Sequence, residues 1–279
     1  MKKIILPFLV ICLLGACKSK TTPTVEDSLK NSVAIKSQTD SLIKKFKPIV
    51  QGVWVKADYV EKVIKTKSPL AASDLAAWIT TFYVNTDEIT GDSIKFIAGY
   101  GNHDSGDVTI KFQAGKTPGT ILFNGQDLSY SIENGVTTLL VPQYNETKKR
   151  YFKTKFIRIL KKQPDNNLGY GLYNYINKSL VAGNYELTDS LGSTSKISFS
   201  EDGKVSGFLA CKSYDINIDL NSDVNDNLDE ISFNTDAKRL LSYSFKIIAD
   251  TLKLYETGEN ADSTELVLGK LKYKLVRQK

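Results

Sequence analysis

Along most of this chain, apolar and polar residues alternate with the period of a half-buried strand. Val108-Thr109-Ile110-Lys111-Phe112, Ser93-Ile94-Lys95-Phe96-Ile97 and Phe152-Lys153-Thr154-Lys155-Phe156 show the pattern. Thr120-Ile121-Leu122-Phe123 and Gly52-Val53-Trp54-Val55 add shorter strand-like runs. Turn signals such as Glu133-Asn134-Gly135 separate the strands. Helical spacing appears in two places. Asp40 can cap a short helix with Leu42, Ile43 and Phe46 on one face, and Pro48 should end it, because the residue before proline avoids helix. Further on, Ser68 reads as an N-cap with Pro69 at the first helical position. Leu75, Trp78, Ile79 and Phe82 then fall on one face, which predicts a helix over 68–80.

The pattern repeats. Gln163-Pro164-Asp165-Asn166-Asn167 reads as a linker, and after it the order of signals returns. Leu172-Tyr173 with Ile176 copies Leu42-Ile43 with Phe46, and Gly183-Asn184-Tyr185 copies Gly52-Val53-Trp54. Ser242-Tyr243-Ser244-Phe245 copies Ser129-Tyr130-Ser131-Ile132, and Leu271 to Arg277 copies Phe152 to Arg158. The second copy lacks the 68–80 segment. The organisation expected is a first β-rich domain over 40–162, a linker over 163–167 and a second domain over 168–279, each of about 110 residues, an ordinary domain size. Few contacts are expected between the halves, which should then fold separately.

The start of the chain follows a different pattern. Lys2 and Lys3 precede an apolar run from Ile4 to Leu14, which is too short to span a bilayer but suits a signal peptide over 1–16. The run ends in Leu14-Gly15-Ala16-Cys17, which resembles the lipobox of bacterial lipoproteins. That resemblance implies cleavage before Cys17 and acylation of its thiol, giving a stable anchor through several acyl chains. By the same resemblance, Lys18 after the cysteine implies transfer to the outer membrane, and the lack of carboxylates in Lys18-Ser19-Lys20-Thr21-Thr22 implies a position facing the periplasm. Residues 17–39 are polar and read as a lipidated terminus and flexible tether, with a reach of roughly 25 Å.

Processing changes the chemistry. Of three cysteines, Cys12 leaves with the signal and Cys17 is acylated, so Cys211 has no partner for an intramolecular disulfide. Loss of Lys2 and Lys3 lowers the formal charge from +6 to +4, and the remaining charges are mixed along the chain. No basic stripe suggests nucleic acid as a partner.

A Gly-x-Trp at the first strand, a short helix before it and an Arg late in the last strand together resemble the calycin group of lipocalins and fatty-acid-binding proteins. The resemblance implies a mostly β fold of two tandem small antiparallel barrels. Each would have a short N-terminal helix, and the first an extra helix after its first strand. It also implies that first and last strands pair to close each barrel, with Arg158 over Trp54 and Arg277 over Tyr185. The smaller tyrosine ring suggests that the second pair is the weaker. In fatty-acid-binding relatives the helices after the first strand form a cavity lid, so Leu75, Trp78, Ile79 and Phe82 become a candidate ligand lid. Alternation alone also fits other sandwich or open-sheet domains.

No motif specifies catalysis, a metal or a cofactor. The one histidine, His103, sits in a Gly/Asp loop with no nucleophile motif to match it. Asp219, Asp223, Asn225, Asp226, Asn227 and Asp229 are rich in oxygen ligands, but Leu228 occupies the position where an EF-type loop needs glycine. Asp27-Ser28 resembles an O-glycosylation acceptor of exported proteins, with Ser28 as the acceptor. The function expected is therefore non-enzymatic. The leading expectation is a small apolar or amphipathic ligand in the first barrel; the alternative is an envelope protein as partner, with both barrels filled by side chains.

Overall fold

A computed structural model describes residues 25–164, 167–188, 193–220, 227–235 and 239–278. The signal segment 1–16 and Cys17 lie outside the described residues, as does the side chain of Ser28. Helix α1, Val25–Val50, leads into strand β1, Gly52–Lys56. Helix α2, Ala57–Thr66, and a 3-10 turn at Leu70–Leu75 follow. Seven strands then complete the first barrel: β2 Ile79–Val84, β3 Ser93–Tyr100, β4 Asp104–Ala114, β5 Ile121–Phe123, β6 Gln126–Glu133, β7 Val136–Asn145 and β8 Arg150–Leu160. All neighbours are antiparallel, and β1 pairs with β8 to close the barrel.

The second half begins with helix α3, Tyr170–Leu180. Its strands are β9 Gly183–Thr188, β10 Thr194–Phe199, β11 Val205–Ser206, β12 Cys211–Ile216, β13 Glu230–Thr235, β14 Leu240–Ile248, β15 Thr251–Glu259 and β16 Leu266–Arg277. They form one antiparallel sheet in the order β11-β10-β9-β16-β15-β14-β13-β12. The ends of that sheet nearly meet: Lys204 bridges to Ser213, and the Tyr214 N–H donates to the Gly203 carbonyl at 2.7 Å. The molecule is thus two tandem eight-stranded barrels, one closed and one nearly closed.

Three local expectations change. Helix α1 neither starts at Asp40 nor stops at Pro48: it begins at Val25, within the segment read as a flexible tether, and runs to Val50. Pro48 removes only one donor from the last turn, which Gln51 N–H closes onto the Lys47 carbonyl at 3.2 Å. Once Phe46 and Val50 are fixed in the core, extending the helix backward adds one hydrogen bond per residue ordered. The predicted helix over 68–80 is absent as well. Ser68 Oγ does accept the Ala71 N–H at 2.9 Å, but the turn it caps ends at Leu75, and Ile79 to Val84 is strand β2. The helix after the first strand is instead α2, whose buried face is Tyr59, Val60 and Val63.

The first core is filled by aromatic rings. Phe82 lies 5.6 Å from Phe96, 6.0 Å from Phe123 and 5.1 Å from Phe156, centroid to centroid. Phe46 of α1 meets Tyr130 edge-on at 5.6 Å, covering that end of the barrel. The second core is Phe199, Phe208, Phe233, Tyr214 and their aliphatic neighbours. It also takes in Val55, Tyr59, Val60, Val63 and Ala72 from the first half. Helices α2 and α3 pack on each other and on β1 and β8, so β1 is buried on both faces. A Cβ on Gly171 of α3 would collide with Val53 of β1. The halves therefore share apolar packing, and the chain from Thr39 onward is one compact unit.

Candidate functional site

The strand-closing residues form two matched clasps. Arg158 faces Trp54 across β1 and β8, with its guanidinium 5.4 Å from the ring centroid. Its Nη1 donates to the carbonyls of Pro48 at 3.0 Å and Gln51 at 3.1 Å, and the indole Nε1 donates to the Val50 carbonyl at 2.8 Å. In the second barrel Arg277 faces Tyr185, 5.3 Å from its centroid. Nη2 donates to the Leu180 carbonyl at 2.9 Å and to Tyr185 Oη at 2.7 Å, while that hydroxyl donates to the Val181 carbonyl at 2.8 Å. In both copies the ring donor ties the strand to the carbonyl four residues earlier, at the end of the preceding helix. The arginine then satisfies the other helix-end carbonyls, which have no partner within the helix.

The candidate lid does not assemble. Phe82 is deep in the first core and Leu75 packs toward the second. Trp78 and Ile79 do meet, at the end of the first barrel opposite α1. A β-bulge between Ile79 and Thr81 turns Ile79 inward beside Tyr100. Trp78, next to it, adopts φ +63, which is rare for a bulky residue. Several contacts hold it there. Its carbonyl accepts the Gly101 N–H at 2.9 Å, and its ring meets Phe152 edge-on at 5.0 Å. Lys56, buried at the end of β1, sends its ammonium to the carbonyls of Leu75 at 2.7 Å and Ala77 at 3.2 Å. The same ammonium stands 5.7 Å from the Trp78 centroid. Burial pulls the Lys56 pKa below the ordinary lysine value, and the carboxylates of Asp58 and Asp74 oppose that shift.

Around Trp78 the barrel mouth forms a pocket of about 220 Å³, lined by Ile79, Tyr100, Phe123, Gln143, Tyr144 and Tyr151 among others. Gln143 is 4% exposed, and its Oε1 accepts the Ile79 N–H at 2.9 Å. That bond fixes which way the amide points and leaves Nε2 as a buried donor with no partner among the described residues. Such a group is costly to leave unpaired. Sequence reasoning missed Lys56 and Gln143, although strand parity carries the signal: Lys56 shares the inward face of Trp54, and Gln143 that of Leu139 and Val141. Both are polar residues at positions where alternation predicts apolar ones.

The remaining candidates are otherwise engaged. His103 Nδ1 lies 2.9 Å from an oxygen of Asp219, an ion-pair geometry between half-exposed groups. Asn227 brackets the main chain of Leu266, and the Asp229 carboxylate accepts the Leu70 N–H at 2.9 Å. Asp223, Asn225 and Asp226 lie outside the described residues. Cys211 is buried, and burial pushes its thiol pKa up. Comparison of the chain with protein-family models, characterised proteins and solved structures finds no match.

Proposed function

We propose that this protein is a non-enzymatic binding lipoprotein, anchored by lipid on Cys17 at the outer membrane and facing the periplasm. Its ligand is a small amphipathic molecule held at the mouth of the first barrel. The observation that carries this reading is Trp78. A bulky residue at φ +63 costs on the order of 1–3 kcal/mol and persists only where its surroundings over-determine it. Here a buried lysine, a main-chain hydrogen bond and Phe152 hold the ring at a pocket while leaving it 37% exposed. The phenylalanine packing of the interior moves the expected ligand from inside the barrel to its end. An eight-stranded barrel is just wide enough to be filled by side chains, which supports this placement.

A second reading, a protein-interaction role, is favoured by large apolar side chains exposed in the second half, Leu209, Leu240, Val267 and Leu271.

Two experiments test the proposal. Metabolic labelling with a fatty-acid probe should mark the wild type and spare Cys17→Ser; equal label on both removes the anchor. An environment-sensitive dye such as 1-naphthol should quench tryptophan emission in the wild type. Trp78→Ala should lose that response, and with it the change in the dye's own emission on binding, while keeping the wild-type circular dichroism spectrum. Unchanged quenching in the variant places binding elsewhere.

A further inference from the structure

The mouth pocket does not stand alone. A second pocket of about 200 Å³ adjoins it and shares Gln126, Pro142 and Tyr151 with it. Tyr151, 52% exposed on the rim, stands between the two. Each space is small for a drug-sized ligand, which takes roughly 300 Å³ or more, and suits a single ring. The two differ in chemistry. The first has aromatic faces, Trp78 and Tyr100, together with the amide side chains of Asn124 and Gln126. The second is lined by Lys116 and Lys153 beside Asp127. The Asp127 carboxylate is committed to its own loop, where it accepts the N–H groups of Lys116 and Thr117 at 2.8 Å each. A hydrogen bond from the Thr117 side chain, together with those main-chain bonds and the charge of Lys153, holds its pKa below the usual carboxylate range. Two lysines therefore outweigh one carboxylate whose oxygens already have donors.

Resting on the reading of this mouth as a binding site, we infer that its ligand is an oligosaccharide of at least two rings bearing an acidic group. One ring lies in the Trp78 pocket and the acidic ring lies beside Lys116 and Lys153. A pyranose presents C–H groups to an aromatic face and hydroxyls at its edge. That combination matches an aromatic wall edged by the amides of Asn124 and Gln126 better than a purely apolar ligand does, because an apolar ligand would take water from those amides and give no hydrogen bond back. The anionic substituent follows from the lysines, since a carboxylate on an ammonium forms a charge-assisted bond.

The test uses the full-length protein in a sugar-free detergent, with tryptophan emission as the readout. The probes are the glucuronate–N-acetylglucosamine disaccharide of hyaluronan, neutral cellobiose and 1-naphthol. The acidic disaccharide should bind about tenfold more tightly than cellobiose, the worth of one charge-assisted bond. Replacing both Lys116 and Lys153 with Ala should erase that preference, and Trp78→Ala, followed by isothermal titration calorimetry because the variant lacks the reporting ring, should bind neither sugar. Tyr151→Ala, an exposed position whose loss threatens folding least, should weaken both sugars. If 1-naphthol binds and neither sugar does, the saccharide assignment is overturned and the binding reading stands. If no probe responds, both fail. If cellobiose and the acidic sugar bind equally, the lysine subsite is wrong.

Discussion

In the first barrel the arginine of the last strand covers an indole and gives Nη1 to two main-chain carbonyls; in the second it grips a phenol by its oxygen. Arg277 reaches Tyr185 Oη with Nε at 3.0 Å and with Nη2 at 2.7 Å. Trp54 has no oxygen to offer, so Arg158 closes its barrel through cation–π attraction and helix-end carbonyls. Ring area alone ranks the tyrosine clasp as the weaker, but the hydroxyl adds charge-assisted bonds that indole cannot make. Closure also differs on the far side. In the first barrel β3 and β4 pair over eight residues, Ser93 to Tyr100 against Lys111 to Asp104. In the second, the corresponding β11 is two residues long, and the sheet ends meet through one bridge and a few hydrogen bonds. Phe208, fully buried in the loop after β11, packs tilted on Phe233 at 4.8 Å and edge-on to Tyr273 at 5.1 Å. A duplicated fold thus keeps its clasp and its helical floor while a side chain substitutes for lost main-chain pairing.

The largest expected effect concerns the dependence of the second barrel on the first. Its core includes Val55, Tyr59, Val60 and Val63, and a fully buried valine is worth roughly 1.5–3 kcal/mol. A fragment of residues 168–279 should lose several kcal/mol and show no cooperative urea transition by circular dichroism. A fragment with a sharp midpoint equal to that of the whole chain would make the two barrels independent after all.

The glycines that open the two barrels should separate next. Gly52 has φ +124, and a Cβ there would stand 2.5 Å from the Leu160 carbonyl oxygen and 2.7 Å from Arg158 Cδ. Gly183 has φ +149, but its nearest neighbour would be Arg277 Nε at 3.5 Å. Gly52→Ala should therefore cost more than about 3 kcal/mol and Gly183→Ala about 1 kcal/mol, read from denaturation midpoints. Equal costs would mean that backbone strain, not the crowded clasp, governs both sites.

The clasps themselves should show different chemistry. Arg158→Ala is expected to cost about 1–3 kcal/mol, and Arg158→Lys to recover only part of it, because an ammonium cannot lie flat on the indole. Tyr185→Phe keeps the ring and removes the hydroxyl, so a loss of about 1–2 kcal/mol would assign the second clasp to hydrogen bonding. No loss in that variant would assign it to the ring.

The smallest effect is the pH dependence that Lys56 gives the first barrel. Lys56 has a pKa lowered by burial from the ordinary 10.5. Between the lowered value and 10.5 the unfolded chain holds more protons, so stability from this group rises with pH across that window. Below the window its penalty is constant. The difference in urea midpoint between wild type and Lys56→Met should shift in favour of wild type as pH rises toward 10.5. A pH-independent difference would mean that Lys56 is charged or neutral alike in both states.

The strands and their repeated order were legible in the sequence because they rest on local periodicity and short anchors, whereas closure into barrels with the Arg–ring pairs was what the calycin resemblance implied, since alternation fits an open sheet equally well. Alternation places Ile110, Phe112, Leu139 and Phe156 inward, and the Gly-x-Trp and late Arg sit at fixed places within the repeat. Helix register was less secure. Leu75, Trp78, Ile79 and Phe82 satisfy a helical face equally well as a turn, a bulge and a strand. The choice fell to Trp54, Phe96, Phe123 and Phe156, which need Phe82 among them. Only the tertiary structure decided that α2 buries its face against the other half of the molecule. Likewise, only three-dimensional packing could hold Trp78 at φ +63, because no local preference of tryptophan favours that conformation. It takes Lys56, Gly101 and Phe152, brought from three different segments, to make the strained position the stable one.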